Sequence, residues 1–268
     1  MKFYPRFFLR LFAVIAALYI LICTLVYFNQ ESLLFHPQPV ASETRYDFGI
    51  PFTEKSIRVD GSTTLNGVLF EVAASKGLIF FVHGNAGNLS DLTSPAEFYT
   101  GLGYDFFAYD FRGFGKSGGT ITSEAQFYSD AQLAYNHLRK EYLEKEIVIA
   151  GYSVGTATAA MLAANNHPEK LILMAPYYSM EELAAYHYPF IPRFLVSYKF
   201  KTFDFLSNVT VPVIIGHGKN DGTIPYEASL RLKKLLKRNG TFVGLDGEGH
   251  NGVQSNELFQ AELRKFLD

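Results

Sequence analysis

From about residue 53 onward the chain alternates short apolar runs with amphipathic stretches. This predicts an α/β domain, a mostly parallel twisted sheet with helices on both faces. Three observations carry that reading. The runs Leu78–His83, Tyr104–Tyr109, Glu146–Ala150, Leu171–Pro176 and Val211–His217 are short and rich in β-branched and aromatic residues, as buried strands are. Helical signals stand between them: Ser123-Glu-Ala-Gln126 is a capping box followed by apolar residues at Tyr128, Ala131, Ala134, Tyr135 and Leu138. Of the 268 residues, about 225 remain beyond an N-terminal apolar segment, a usual size for one α/β domain.

The first element is that segment. Leu11–Phe28 is uninterrupted and apolar, with Lys2, Arg6 and Arg10 before it and Asn29-Gln30-Glu31 after it. At about 1.5 Å per residue it nearly matches a hydrocarbon core of ~30 Å. A cleaved signal peptide has a shorter apolar region and a small-residue cleavage site, whereas Val26-Tyr27-Phe28 are bulky. The lone cysteine, Cys23, follows Ile22 where a lipoprotein site needs a small residue. The expectation is an uncleaved anchor over 11–28, residues 1–10 in the cytoplasm and the remainder on the periplasmic or lumenal side, since the next basic residue is Arg45. Residues 29–52 read as a linker and 53–268 as the folded domain. Asn-x-Ser/Thr sites at Asn88, Asn208 and Asn239 matter only in a secretory-pathway host.

Within the domain, Ile57–Asp60 and Thr64–Glu71 are early strands joined by a turn at Asp60-Gly61. Leu78–His83 ends in Gly84-Asn85-Ala86-Gly87-Asn88, whose small residues let the backbone approach a substrate or simply form a turn. Tyr104–Tyr109 leads to Asp110-Phe-Arg-Gly-Phe-Gly-Lys-Ser-Gly118, which is not a phosphate loop because that motif requires glycine at position 110. Glu146–Ala150 leads to Gly151-Tyr152-Ser153-Val154-Gly155 and then the Ala/Leu-rich helix Thr156–Asn165. A serine on a sharp strand-to-helix turn between two glycines has the pattern of a nucleophile elbow, with the helix N-terminus aimed where an oxyanion forms. Asp221 follows the strand Val211–His217, where it would orient an imidazole or serve as an ordinary Asp-Gly turn residue. His250 lies in a glycine-rich loop after the strand Thr241–Leu245, with Asp246 and Glu248 as rival acids. Helices over Glu227–Lys237 and Asn256–Leu267 complete the pattern.

The segments His83–Asn88, Asp110–Gly118, Gly151–Gly155, Asp221–Pro225 and Gly249-His250 together resemble the α/β-hydrolases, in particular the membrane-anchored group of Bem46 and the α/β-hydrolase-domain 13 and 17 proteins. The resemblance spans residues 53–268. It implies a triad of Ser153, Asp221 and His250, an oxyanion hole from the amides of Val154 and Asn85 (Ala86 second), and a short cap. It also implies that Asp110 and Arg112 are tied into hydrogen bonds beneath the active site, and it leaves the choice between ester, thioester and peptide open. From its place before the glycines, His83 is expected to brace the oxyanion loop.

Residues 177–208 are the expected cap. Tyr177, Tyr178, Tyr186, Tyr188, Phe190, Phe194, Tyr198, Phe200, Phe203 and Phe205 crowd it, as an acyl-chain slot, as packing on the body, or as interfacial aromatics. A net charge of −2 without a Lys/Arg run argues against nucleic acid. One cysteine excludes an internal disulfide, and neither a metal-ligand cluster nor a dinucleotide fingerprint is present, so no metal or cofactor is expected. The expected function is hydrolysis of an ester or thioester with an apolar acyl group. A peptidase with an anchoring carboxylate such as Glu181 or Glu182 is the alternative, and an inactive binding module on the same fold is the remote one.

Overall fold

The computed structural model describes residues 4–238 and 240–268, so Lys2 and the site at Asn239 lie outside the described residues. Eight strands form the main sheet: β1 (Thr53–Arg58), β2 (Thr64–Phe70), β3 (Leu78–Val82), β4 (Asp105–Tyr109), β5 (Ile147–Tyr152), β6 (Lys170–Met174), β7 (Val213–Gly218) and β8 (Gly240–Leu245). Their spatial order is β8-β7-β6-β5-β3-β4-β2-β1. β1–β2 and β2–β4 pair antiparallel, and the remaining pairs are parallel. From β3 the chain crosses outward to β4 and then returns to place β5 on β3's other side. The crevice beyond the carboxyl ends of β3 and β5 is therefore the topological switch point where such sheets bind ligands.

Nine helices are described: α1 (Tyr4–Phe28), α2 (Gln30–Leu34), α3 (Thr93–Gly101), α4 (Glu124–Leu138), α5 (Gly155–Asn165), α6 (Met180–His187), α7 (Thr202–Asn208), α8 (Tyr226–Lys233) and α9 (Glu257–Leu267). Buried strand residues feed two clusters, one on each sheet face. Phe127, Ala131 and Ala134 of α4 join the first with the alanines of α5, while Ala96 and Tyr99 of α3 and Phe259 and Leu263 of α9 join the second. The central strands carry apolar residues on both sides because both faces are covered. Ser123 caps α4 as expected, its hydroxyl accepting from Gln126 N at 3.1 Å, but Gln126 reaches back to the amide of Thr122. α8 ends four residues before the expected Lys237, because the chain turns there to enter β8.

Two regions differ from the sequence reading. The stretch expected as a linker is built into the domain: Phe35, Tyr46 and Phe48 are buried, and His36–Pro37 pair in parallel with Ala86–Gly87. In the cap, α6 and α7 flank an irregular loop. Tyr177, Tyr198 and Phe200 are buried, whereas Tyr186, Tyr188, Phe190 and Phe194 are exposed, so packing and exposure divide the aromatics between them.

α1 spans the expected apolar segment. Over Arg6–Phe28 its mean hydropathy is 2.6, and it is long and apolar enough to cross a bilayer.

Candidate active site

β5 delivers Ser153 to the switch point in a left-handed conformation, φ 51°, uncommon for a residue with a side chain. Main-chain bonds fix that turn: Ser153 N donates to Met174 O (3.0 Å), and Thr156 N donates to Ser153 O (3.0 Å). Both flanking glycines are sterically required. A Cβ at Gly151 would lie 2.6 Å from that of Ala159, and one at Gly155 would lie 2.3 Å from the Val82 carbonyl oxygen. The second contact lets α5 pack closely against the end of β3.

Ser153, His250 and Asp221, 97 and 29 residues apart in successive pairs, meet in one line of hydrogen bonds. His250 Nε2 is 2.9 Å from Ser153 Oγ, and His250 Nδ1 is 2.7 Å from Asp221 Oδ2. The other Asp221 oxygen accepts from the amides of Thr223 and Ile224, each at 2.8 Å. Burial pushes the Asp221 carboxyl up, but hydrogen bonds from His217, His250 and the Ile224 amide outweigh it and hold it well below the usual carboxylate range. An ionised Asp221 selects the tautomer with the proton on Nδ1, leaving the Nε2 lone pair for the serine proton. The rival acids lie elsewhere. Asp246 pairs with Lys219 at 2.7 Å, and Glu248 accepts from Asn256 Nδ2 at 3.0 Å.

Among the described residues, neither the Val154 amide nor the Asn85 amide donates a main-chain hydrogen bond. The Asn85 side chain donates to Leu34 O (2.9 Å), and its carbonyl accepts from His36 N (2.8 Å), so the segment after α1 holds this loop in place. His83 Nδ1 lies 2.8 Å from the carbonyl oxygen of Gly84, the first residue of this loop, and the ring stacks on Phe111 with centroids 4.0 Å apart. Burial lowers its pKa to about 4. Arg112 bonds to Asp130 through Nε (2.6 Å) and to Asp60 through a terminal nitrogen (2.7 Å), tying the turn after β4 to α4 and the β1–β2 hairpin. Asp110 is fully buried, with Oδ1 3.9 Å from His83 Nε2.

Sequence reasoning overlooked two contributors. Tyr152 donates its hydroxyl to Asn251 Oδ1 (3.0 Å), and its ring lies against His250 with centroids 5.4 Å apart. His217, completely buried, has Nε2 3.1 Å both from the Asp221 oxygen that faces His250 and from the Ile224 carbonyl oxygen, and Nδ1 2.5 Å from Ser229 Oγ. The i,i+4 spacing of His217 and Asp221 was visible, but a strand-to-loop turn gives that spacing no fixed meaning.

Two cavities adjoin Asn85, and of these only the first is lined by Ser153 and His250. It measures about 590 Å³ and is of mixed polarity, with Asn88, Asp91 and Asn251 beside Phe98, Met174 and Leu263 and no Lys or Arg in its wall. The other, about 490 Å³, is largely apolar and lies between α1, α2 and the cap. Asn85 lines both.

Comparison with known proteins bears on the fold and the family. A family profile described as serine aminopeptidase, S33, matches residues 73–203. The chain is 32% identical over 199 residues to alpha/beta hydrolase domain-containing protein 17B of Homo sapiens, covering 72% of this chain and 67% of that one. It belongs to the α/β-hydrolases. Protein 17C of Xenopus tropicalis is 31% identical over 199 residues, with 72% of this chain and 62% of that one covered. Among solved structures, the Pyrococcus furiosus esterase Pf2001 superposes with a TM-score of 0.70 at 20% identity, covering 87% of this chain and 98% of that one. Est1E from Butyrivibrio proteoclasticus, solved with ferulic acid, gives 0.68 at 22% identity, with 80% and 97% covered. The fold and a hydrolase family are thereby established.

Proposed function

We propose that this hydrolase is a membrane-anchored serine esterase or thioesterase acting on an apolar acyl group through an acyl-enzyme. The observation that carries the reading is the line from Ser153 Oγ through His250 to Asp221, at 2.9 and 2.7 Å, on a serine held at φ 51°. His250 takes the serine proton as Oγ bonds to the acyl carbon. The tetrahedral oxyanion sits between the amides of Val154 and Asn85, where losing one donor typically costs ~10²–10³ in rate. His250 then passes its proton to the leaving oxygen or sulfur as that bond to the acyl carbon breaks. Water, deprotonated by the same histidine, releases the acid and regenerates Ser153.

The two cavities suggest a division of labour, the apolar one for the acyl chain and the mixed one that holds Ser153 for the leaving group. No metal or cofactor enters the scheme. α1 is read as an uncleaved anchor, its N-terminus cytoplasmic on account of Arg6 and Arg10. Protease accessibility of the domain in sealed vesicles tests that orientation.

A peptidase would share the chemistry but wants a free carboxylate for a peptide terminus. Glu182 is instead clamped by Arg231, whose guanidinium also lies 3.6 Å over the Tyr178 ring, and Glu181 faces Lys199 at 4.0 Å. Labelling of the purified protein by a fluorophosphonate is the decisive experiment. Signal lost in Ser153→Ala supports the reading, whereas a well-folded wild type that does not label sinks it and favours a binding module.

A further inference from the structure

Resting on the serine hydrolase reading, we propose that the anchor helix is itself one wall of the acyl site, so that the acyl chain of a membrane-resident ester reaches Ser153 along α1 without crossing water. The 490 Å³ groove has Ile22 and Val26 of α1 and Leu33 of α2 on one side, and Leu183, Ile191 and Val196 of the cap on the other. Its inner end reaches Asn85 and Thr223. Asn85 offers its amide to the oxyanion, and Thr223 donates its amide to Asp221 Oδ1 at 2.8 Å. The groove therefore runs from the last two turns of α1 to Asn85, the residue it shares with the cavity that holds Ser153 and His250.

Depth gives the second argument. Tyr19 Oη donates to the Phe190 carbonyl at the cap tip (2.9 Å). Tyr19 precedes the end of α1 at Phe28 by nine residues, or about 13 Å of helix. The cap tip consequently hangs beside α1 well inside the apolar span, and its exposed Tyr188, Phe190 and Phe194 present apolar surface at that depth. A groove whose outer mouth lies at this depth opens to lipid chains.

The joint is also rigid. The Gln30 side chain donates to Leu195 O (2.9 Å) and accepts from Ser197 N (2.7 Å). Tyr198 Oη donates to Glu31 Oε1 (2.8 Å), and the Leu34 carbonyl accepts from Asn85. A free tether would not be stitched at once to the cap and to the oxyanion loop. Passing through water would cost a chain about fourfold in population per exposed methylene. Sliding from lipid into an apolar groove avoids that barrier.

The test uses full-length protein in phosphatidylcholine vesicles, with 4-nitrophenyl acetate and 4-nitrophenyl palmitate as substrates. Val26→Trp and Ile22→Trp fill the groove from the helix side. Leu25→Trp sits at the same depth but outside the groove lining. Fluorophosphonate labelling normalises each variant to folded, competent enzyme. The expected result is a fall of tenfold or more in the palmitate-to-acetate ratio of kcat/KM for the groove variants and an unchanged ratio for Leu25→Trp. An unchanged ratio in the groove variants, or an equal fall in Leu25→Trp, overturns the proposal. A wild type that labels and hydrolyses acetate while showing either of those patterns leaves the serine hydrolase reading standing; a wild type that does neither takes down both.

Discussion

The two cavities that meet at Asn85 are made from different parts of the chain and with different chemistry. The one that holds Ser153 and His250, of mixed polarity, is walled by loops leaving the carboxyl ends of β3, β5 and β8, together with residues of α3 and α9. The apolar one owes almost nothing to the sheet; α1, α2 and the cap enclose it. Catalytic geometry thus comes from the strand ends, which are fixed by a continuous hydrogen-bonded ladder. Shape and polarity on the acyl side come from pieces added before and within the fold. Such a division lets the added pieces change while Ser153, Asp221 and His250 stay in line.

The sharpest way to break this comparison is to remove the proposed nucleophile, which lines one cavity and not the other. Ser153→Ala is expected to lower kcat by about 10⁶-fold, as loss of a triad nucleophile does elsewhere, while leaving the unfolding midpoint near that of wild type. Steady-state ester hydrolysis on purified protein checks it, and retention of even a tenth of the activity would show that the chemistry lies elsewhere. His217 comes next. It is buried behind Asp221 and sees neither cavity, so its effect should fall equally on short and long substrates. His217→Leu removes a hydrogen bond to a charged group, worth ~1.5–3 kcal/mol, and kcat should drop by about one to two powers of ten. His217→Gln, which keeps a donor, should recover part of that. A drop confined to palmitate would contradict the assignment.

The division between the cavities also explains what could be read from the sequence. Each strand-end motif is local: Gly151–Gly155 announces its own geometry, and Asp221 and His250 follow strands whose burial is written in consecutive residues. The apolar cavity has no local signature. Gln30 meets Ser197 at a separation of 167 residues, and Tyr19 meets Phe190 across 171. No periodicity encodes such pairs, so residues 29–52 read as a linker although Phe35 and Phe48 are core. Aromatic density marked the cap, but not which rings pack and which stand exposed. Helix α3 escaped notice because Thr93-Ser-Pro-Ala offers weak propensity and only Ala96 and Tyr99 are buried along it.

A stability effect should appear at Asp110, which lies 3.9 Å from His83 in the wall of the Ser153 cavity. Burial raises the Asp110 pKa to about 7, against about 3.9 in an unfolded chain. The folded state therefore favours the protonated acid. That contribution is complete below pH 4 and lost as pH rises through 7, so this group makes the protein less stable at pH 8 than at pH 5.5. His83, buried and neutral above about pH 4, supplies no compensating charge. Asp110→Asn should remove the slope, gaining roughly 1–3 kcal/mol relative to wild type on going from pH 5.5 to 8. Unfolding midpoints in detergent at the two pH values decide the matter, and parallel shifts of both proteins would rule out Asp110 as the source.

The smallest effect should come from the residue the cavities share. Asn85 is proposed to give its main-chain amide to the oxyanion, and its side chain donates to the Leu34 carbonyl, so Asn85→Ala separates the proposed role from the observed contact. The amide remains, while the tether from the oxyanion loop to the segment after α1 is lost. A neutral hydrogen bond of this kind contributes ~0.5–1.5 kcal/mol, so kcat/KM should fall by roughly two- to tenfold. The loss should be greater for palmitate than for acetate, because the same tether aligns the apolar groove with the oxyanion loop. An equal fall for both substrates would mean that the tether serves the oxyanion alone. A fall of a hundredfold or more would mean that the loop cannot hold its amide in place without α2, making the segment after the anchor part of the catalytic scaffold.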